Sequence, residues 1–349
     1  MIIDIISKKT EDAVKLETNY KALSKKYEVE KKRMIKFTNN EEQEVYIPVV
    51  PLVQRNIRES CSFDIDIDLD RDNPKYNLPK QIADNSSKIF DAHSNSVVYN
   101  NINIRLNDLH VCGNKLKLCY SYTTYFDSLL TNRAMDYQFK SGRTVREIYE
   151  PGPFLSELSK SKLSNHLGFN GFVELKDGNI IFVKRGNKLS IAKGMWQQSV
   201  GASLKTKYCV DSEHNFTVEG ISKAICMEIN DELKLDLEYN ENTKYEKNIF
   251  AFYRDLVEGG KPQFLFYYKT DSYDKKSFVH NFYQKMNEKE AKENNEKKQI
   301  IDGEKFAFFT IDELKSCKFT EEYMIANGTT KYHMVPSSIA SVIMLLNNI

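Results

Sequence analysis

The chain has 349 residues, with 50 Lys and Arg against 49 Asp and Glu (net charge +1) and 41% hydrophobic and 12% aromatic residues. That length supports a large buried core and points to two domains or to one domain with a substantial N-terminal addition. The balanced charge excludes a global field that would draw the chain onto nucleic acid or a membrane, and no apolar run reaches the roughly 18 residues of a bilayer span, so a soluble, cytoplasmic protein that recognises its ligand locally is expected.

Residues 8–36 are rich in Lys and Glu, and Val14, Leu16, Tyr20, Leu23, Tyr27 and Met34 recur at loosely helical intervals, which predicts one or two surface helices. Residues 45–53 and 63–69 read as strands. In the second, Asp64, Asp66 and Asp68 alternate with apolar residues, so they share one solvated face rather than form a metal-binding row. A hairpin follows, with alternation from Ile102 to Leu106, a turn at 108–114 and a strand at 115–122. Residues 123–135 open as a helix, Pro151-Gly152-Pro153 interrupts, and helical sequence resumes at 154–163. A second hairpin spans 171–185 around the turn Lys176-Asp177-Gly178-Asn179. Beyond it lie a helix at 220–235, strands at 249–255 and 263–268, a charged run at 284–299 that reads as a solvated helix or insertion, and an apolar C-terminal helix. The six cysteines are dispersed, without CxxC pairs, and the histidines are too scattered for a metal triad.

The 220–235 helix carries the chemistry. At about 100° per residue, Ile221, Ala224, Ile225, Ile229 and Leu233 fall on one arc, opposite Lys223, Asn230 and Lys234. Glu228 and Glu232, four residues apart, lie inside the apolar arc. Two shielded carboxylates repel each other and lose hydration, so a cation or a strong donor set has to compensate them. A hard divalent ion is one such answer.

The segment from Glu219 through Met227-Glu228-Ile229 and Asp231-Glu232 to Leu235 resembles the Nudix box, Gly-x5-Glu-x7-Arg-Glu-U-x-Glu-Glu-x-Gly-U with U aliphatic. It departs from that pattern in having Met227 for the Arg, Asp231 for the first paired Glu, Lys234 for the second Gly and Glu213 for the leading Gly. The hairpin ending in Lys184-Arg185 and the approach Trp196-Gln197-Gln198-Ser199-Val200-Gly201-Ala202 are similar to what precedes the box in that family. Closer still is the resemblance to the UDP-glucose pyrophosphatase branch. It rests on Thr123 to Asn132, on His166-Leu167-Gly168, on Val218-Glu219 through Glu232-Leu233 and on the helix at 337–346.

The resemblance implies an α/β/α sandwich with a mixed sheet over 165–349, a connecting subdomain over 106–164 and an α+β N-terminal region over 1–105 of unassigned role. It implies metal-dependent hydrolysis of a nucleoside diphosphate linked to X, such as UDP-glucose, to a nucleoside monophosphate and a sugar 1-phosphate. Mg²⁺ or Mn²⁺ would be held by Glu228, Glu232 and Glu219, and Glu228, Glu232 and Asp231 would be the catalytic residues. Lys184, Arg185, Trp196 and Tyr125 would contact the substrate. The missing Arg opens a second reading, a catalytically inactive Nudix-like domain that binds a nucleotide as a sensor, because that Arg orients a catalytic Glu through a charge-assisted fork. A purely structural module is disfavoured, since it gives Glu228 and Glu232 no reason to stay on the apolar arc. The expected partner is a nucleotide or nucleotide sugar, with no membrane, no strong case for nucleic acid and a homodimer left open.

Overall fold

The computed structural model describes residues 16–39, 41–59, 61–91, 93, 100–186, 192–240, 242–292 and 303–349. Its centre is an eight-stranded mixed sheet, ordered Gly303–Phe309, Ile180–Arg185, Gly168–Glu174, Lys261–Lys269, Ile249–Asp255 and Val49–Gln54. Trp196–Gln198 joins Ile180–Arg185, and Val200–Ser203 joins Gly168–Glu174. Gly168–Glu174 runs parallel to Lys261–Lys269, and the other neighbours are antiparallel.

Strand alternation sends successive side chains to opposite faces, and here both faces are covered. Phe169, Val173, Ile181, Val183, Phe264 and Phe266 pack with Ile221, Ile225 and Ile229 of the helix Val218–Leu233. Phe172, Ile180, Phe182, Tyr253 and Leu265 pack with Ile339, Val342 and Ile343 of the helix Pro336–Asn347. Each such buried side chain is worth roughly 1.5–3 kcal/mol. A separate three-stranded sheet holds Asp64–Leu69, Ile102–Cys112 and Lys115–Thr124, so the chain is a mixed α/β structure with several sheets. Among the described residues, no helix is long and apolar enough to cross a membrane.

The 171–185 hairpin is tied only at its turn, through Glu174 and Ile180, and then splays. The segment from Trp196 to Ser203 enters the gap, pairing with one strand before Ser199 and with the other after it. The first hundred residues contribute the strand Val49–Gln54 at the edge of the large sheet. Pro51 is tolerated there because an edge strand need not donate on both sides.

Several elements differ from expectation. Of the 8–36 region, residues 8–15 lie outside the described residues; the remainder holds a short helix, Tyr20–Lys26, a 3-10 turn, Lys31–Arg33, and the start of a strand, Ile35–Thr38. Its Tyr20, Leu23, Tyr27 and Met34 are buried against Val50, Leu155 and Leu256 rather than lying on a surface helix. The 45–53 strand is two strands, Glu44–Ile47 and Val49–Gln54, parted at Pro48. The 102–122 hairpin turns later than 108, its first strand running to Cys112.

The 154–163 stretch forms only the 3-10 turn Leu158–Lys160. Its carbonyls are claimed by side chains, since Arg254 donates to Ser156 O at 2.5 Å and Arg105 to Ser161 O at 3.0 Å, so they serve tertiary partners instead of a helix. The charged run starts within the helix Lys275–Lys292, which Phe278 and Phe282 anchor in the core, and residues 293–299 of it lie outside the described residues.

Val218–Leu233 is helical as the pattern requires. Thr217 caps its start by accepting from Gly220 N at 3.0 Å, and Lys234 ends it in the left-handed region at φ 58°. The Lys234 carbonyl accepts from Asn281 Nδ2 at 2.7 Å and from Lys285 Nζ at 3.0 Å, so the strained residue is held by two donors of the neighbouring helix. Gly220 faces backbone, and a Cβ there would sit 2.0 Å from the Cys209 carbonyl oxygen. Gly→Ala inside a helix ordinarily stabilises by about 1 kcal/mol. Gly220→Ala is expected to reverse that sign, lowering stability by about 2 kcal/mol or more in denaturant unfolding, because the obstructing atoms are main chain; a stabilised variant would refute this packing.

Candidate functional site

The splayed hairpin brings the 200–205 backbone across the face of the Val218–Leu233 helix. Gly201 N donates to Glu232 Oε2 at 3.1 Å, and Lys205 Nζ donates to Glu228 Oε1 at 2.6 Å. Glu228 is 4% exposed, and its side chain meets a lysine side chain that is 29% exposed. Burial pushes the Glu228 pKa up while Lys205 opposes the rise. Burial likewise disfavours the Lys205 ammonium, but the charge and hydrogen bond of Glu228, with the charge of Glu232, hold its pKa above the ordinary value. The carboxylates on the apolar arc are therefore compensated by an ammonium and a backbone N–H.

The other two acidic residues are directed elsewhere. Asp231 is exposed and accepts from Tyr208 Oη at 2.9 Å. Glu219 lies in the first helical turn, with a 62% exposed side chain and Lys244 Nζ at 3.9 Å. It precedes Glu228 by nine helical positions, a rise of about 13.5 Å, too far for both to hold one ion. Among the described residues, no group of three or more His, Cys, Asp or Glu is placed to hold a metal ion. Hard divalent cations take about six oxygen ligands. The pair as folded faces the Lys205 ammonium and the Gly201 N–H.

The residues expected to contact a substrate divide between two places. Lys184 lies in register between Trp196 and Lys305, and Arg185 donates to Gln197 Oε1. Trp196 meets Tyr332 edge-on with ring centroids 5.2 Å apart, so it packs against the C-terminal hairpin. Tyr125 lies over His166, with centroids 6.2 Å and planes 24° apart, and its hydroxyl accepts from Arg133.

Next to Tyr125 is a group that the sequence reading missed. Arg133 Nε and Lys261 Nζ lie 3.5 Å and 3.9 Å from the same oxygen, Glu258 Oε2. Their side chains are 12%, 5% and 7% exposed for Arg133, Lys261 and Glu258. His166 is fully buried, and burial together with the charges of Lys261 and Arg133 holds its pKa well below normal, leaving it neutral. Burial also depresses the Lys261 pKa. Asp255 lies close by, its carboxyl raised to about 7 by burial and by the charge of Glu258. Its sequence signal was Glu258-Gly259-Gly260-Lys261, two charges around a turn joining two apolar strands. Lys205 left no such signal, because its partner is 23 residues away.

A scan against protein-family models finds no match for this chain, and a search of characterised proteins finds no similar sequence.

Two expectations follow. Glu228→Gln leaves the Lys205 ammonium without its carboxylate, lowering stability by about 1–3 kcal/mol. The double variant Lys205→Met, Glu228→Gln is expected to recover much of that loss in denaturant unfolding, whereas additive losses would show that the two residues do not act as a pair. For Asp255, the folded state binds the proton more tightly than the unfolded chain, so its contribution to stability is full below a pH of about 4 and is lost as pH rises through about 7. Asp255→Asn keeps the acceptor for Val257 N–H and is expected to flatten that part of the melting-temperature profile; an unchanged profile would show that Asp255 titrates normally.

Proposed function

We propose that this chain is a Nudix-like α/β/α domain that binds a phosphorylated ligand of the nucleotide class without hydrolysing it. The observation that carries the reading is the Lys205 ammonium against Glu228 at 2.6 Å, which supplies the positive charge where the resemblance calls for a divalent ion. The box spacing falls on a core-facing helix, which supports the reading, while Met227 removes the guanidinium fork and Lys205 answers the carboxylate. Lys184, Arg185 and Lys261 lie at strand ends on the same side of the sheet system, where cations suit an anionic ligand. Fold alone does not assign activity, and this reading rests on the site.

The competing reading is a Mg²⁺- or Mn²⁺-dependent pyrophosphatase acting on a nucleotide sugar such as UDP-glucose. One observation favours it: Glu228 and Glu232 still share a helix edge facing Gly201, and the partly exposed Lys205 could swing aside. Incubation with UDP-glucose, other nucleotide sugars and ADP-ribose plus Mg²⁺ separates the two. The expected result is a raised melting temperature with at least one ligand, by mass action on the folded state, and no release of nucleoside monophosphate. Metal-dependent release by the wild-type chain would establish the hydrolase instead. Lys205→Met and Met227→Arg, alone and together, then show whether the lysine suppresses turnover.

A further inference from the structure

We infer that a cavity walled by Tyr76 and Tyr122, with Asp127 in its lining, binds an amino-bearing heteroaromatic ring of nucleobase size. The cavity holds about 400 Å³, within the roughly 300–1,000 Å³ of small-molecule sites. Ile102 and Val210 add aliphatic surface to the two rings. Neither Glu228 nor Lys205 lines it, so the site does not require the Nudix likeness.

The rings are fixed by contacts behind them. Tyr76 N–H donates to the Tyr122 carbonyl at 2.8 Å and Tyr122 N–H to the Pro74 carbonyl at 2.9 Å, which ties the two backbones together. Tyr76 Oη donates to the Lys162 carbonyl at 2.7 Å, Tyr122 Oη donates to the His214 carbonyl, and Tyr120 meets Tyr122 edge-on with centroids 5.6 Å apart. With both hydroxyls engaged by main chain, the rings present carbon surface to the cavity, which suits stacking against a flat ring.

The threonine hydroxyls of the lining are engaged as well. Thr206 Oγ1 donates to the Ile102 carbonyl at 3.1 Å. Thr123 Oγ1 and Thr124 Oγ1 donate to Asp127 Oδ2 at 3.2 Å and 2.8 Å, and Thr124 N–H, in the capping box of the helix Tyr125–Leu130, donates to the same oxygen at 2.8 Å. Three donors thus converge on Oδ2, and Asp127 Oδ1 accepts from none of the described residues. Aromatic and aliphatic walls with one open carboxylate oxygen select a ring that brings its own donor, and an exocyclic amine supplies it. A carboxylate makes that hydrogen bond roughly twice as strong as a neutral acceptor would. Lys75 and His214, both exposed, mark the mouth, where the substituent on the ring leaves toward solvent.

Adenosine and cytidine are titrated into the metal-free full chain by calorimetry, each against the same nucleoside without its amino group, purine riboside and pyrimidin-2-one riboside. At least one aminated nucleoside is expected to bind, about tenfold or more tighter than its counterpart. Asp127→Asn keeps an acceptor for Thr124 N–H and places an amide NH₂ where the open oxygen stands, so it is expected to erase that preference. Should that variant fail to fold, Ile102→Trp decides: Ile102 is 55% exposed, so the fold tolerates a larger ring there, and the indole is expected to fill the cavity and weaken binding about tenfold or more. Binding of neither aminated nucleoside, equal binding of the counterparts, a preference that survives in Asp127→Asn, or undiminished binding in Ile102→Trp would each overturn the site. Nucleoside binding without any nucleotide-sugar binding would retain it and reject the reading of the box helix. Nucleotide-sugar binding without nucleoside binding, and untouched in Ile102→Trp, would do the reverse.

Discussion

Ser199 sits where the strands Gly168–Glu174 and Ile180–Arg185 part. Its hydroxyl donates to the Ile181 carbonyl at 2.5 Å and accepts from Val173 N–H at 2.8 Å, joining both sides of the opened hairpin through one side chain. Without that clasp, the parting strands would leave unpaired backbone groups in the core, each as unfavourable as a lost hydrogen bond. With it, the Trp196–Ser203 stretch completes both ladders. Gly201, Ser203 and Lys205 then follow at fixed positions before the Val218–Leu233 helix. The Glu228 pairing, the Glu232 contact and the His166 contact to Ser203 all depend on this insertion.

The second constraint is electrostatic. The chain is nearly neutral overall, and a small set of charges is buried in the interior, where arginines hold irregular backbone in place. Arg146 reaches Asp136 with two hydrogen bonds of 2.9 Å and donates to the Leu256 and Val257 carbonyls, both at 2.7 Å. Arg105 and Arg254 take carbonyls of the 156–163 stretch. A guanidinium suits this because its donors point in several fixed directions and its charge persists when buried.

Much of the fold was legible because periodicity reports burial directly. The two faces of the central strands, the amphipathic 220–235 segment and the apolar C-terminal helix all follow from where apolar residues recur. Asp64, Asp66 and Asp68 were legible as a solvated face for the same reason, and Asp68 meets Lys117 at 2.7 Å. The 154–163 stretch was not legible. Its leucines are spaced as in a helix, but Arg105 and Arg254 compete for its carbonyls from distant positions, and local propensity carries no record of them.

The candidate site divides along the same line. From the sequence alone it followed that Glu228 and Glu232 share the apolar side of one helix and therefore need a compensating charge, because helical spacing and desolvation are local and general. The identity of that charge was decided by tertiary structure. Lys205 reaches Glu228 across 23 residues, and Arg133 and Lys261 meet at Glu258 from segments more than a hundred residues apart in the chain. A side chain's partner in a low-dielectric interior is set by which backbones are brought together, and a one-dimensional pattern holds that information only where the partners are neighbours on the same helix or strand.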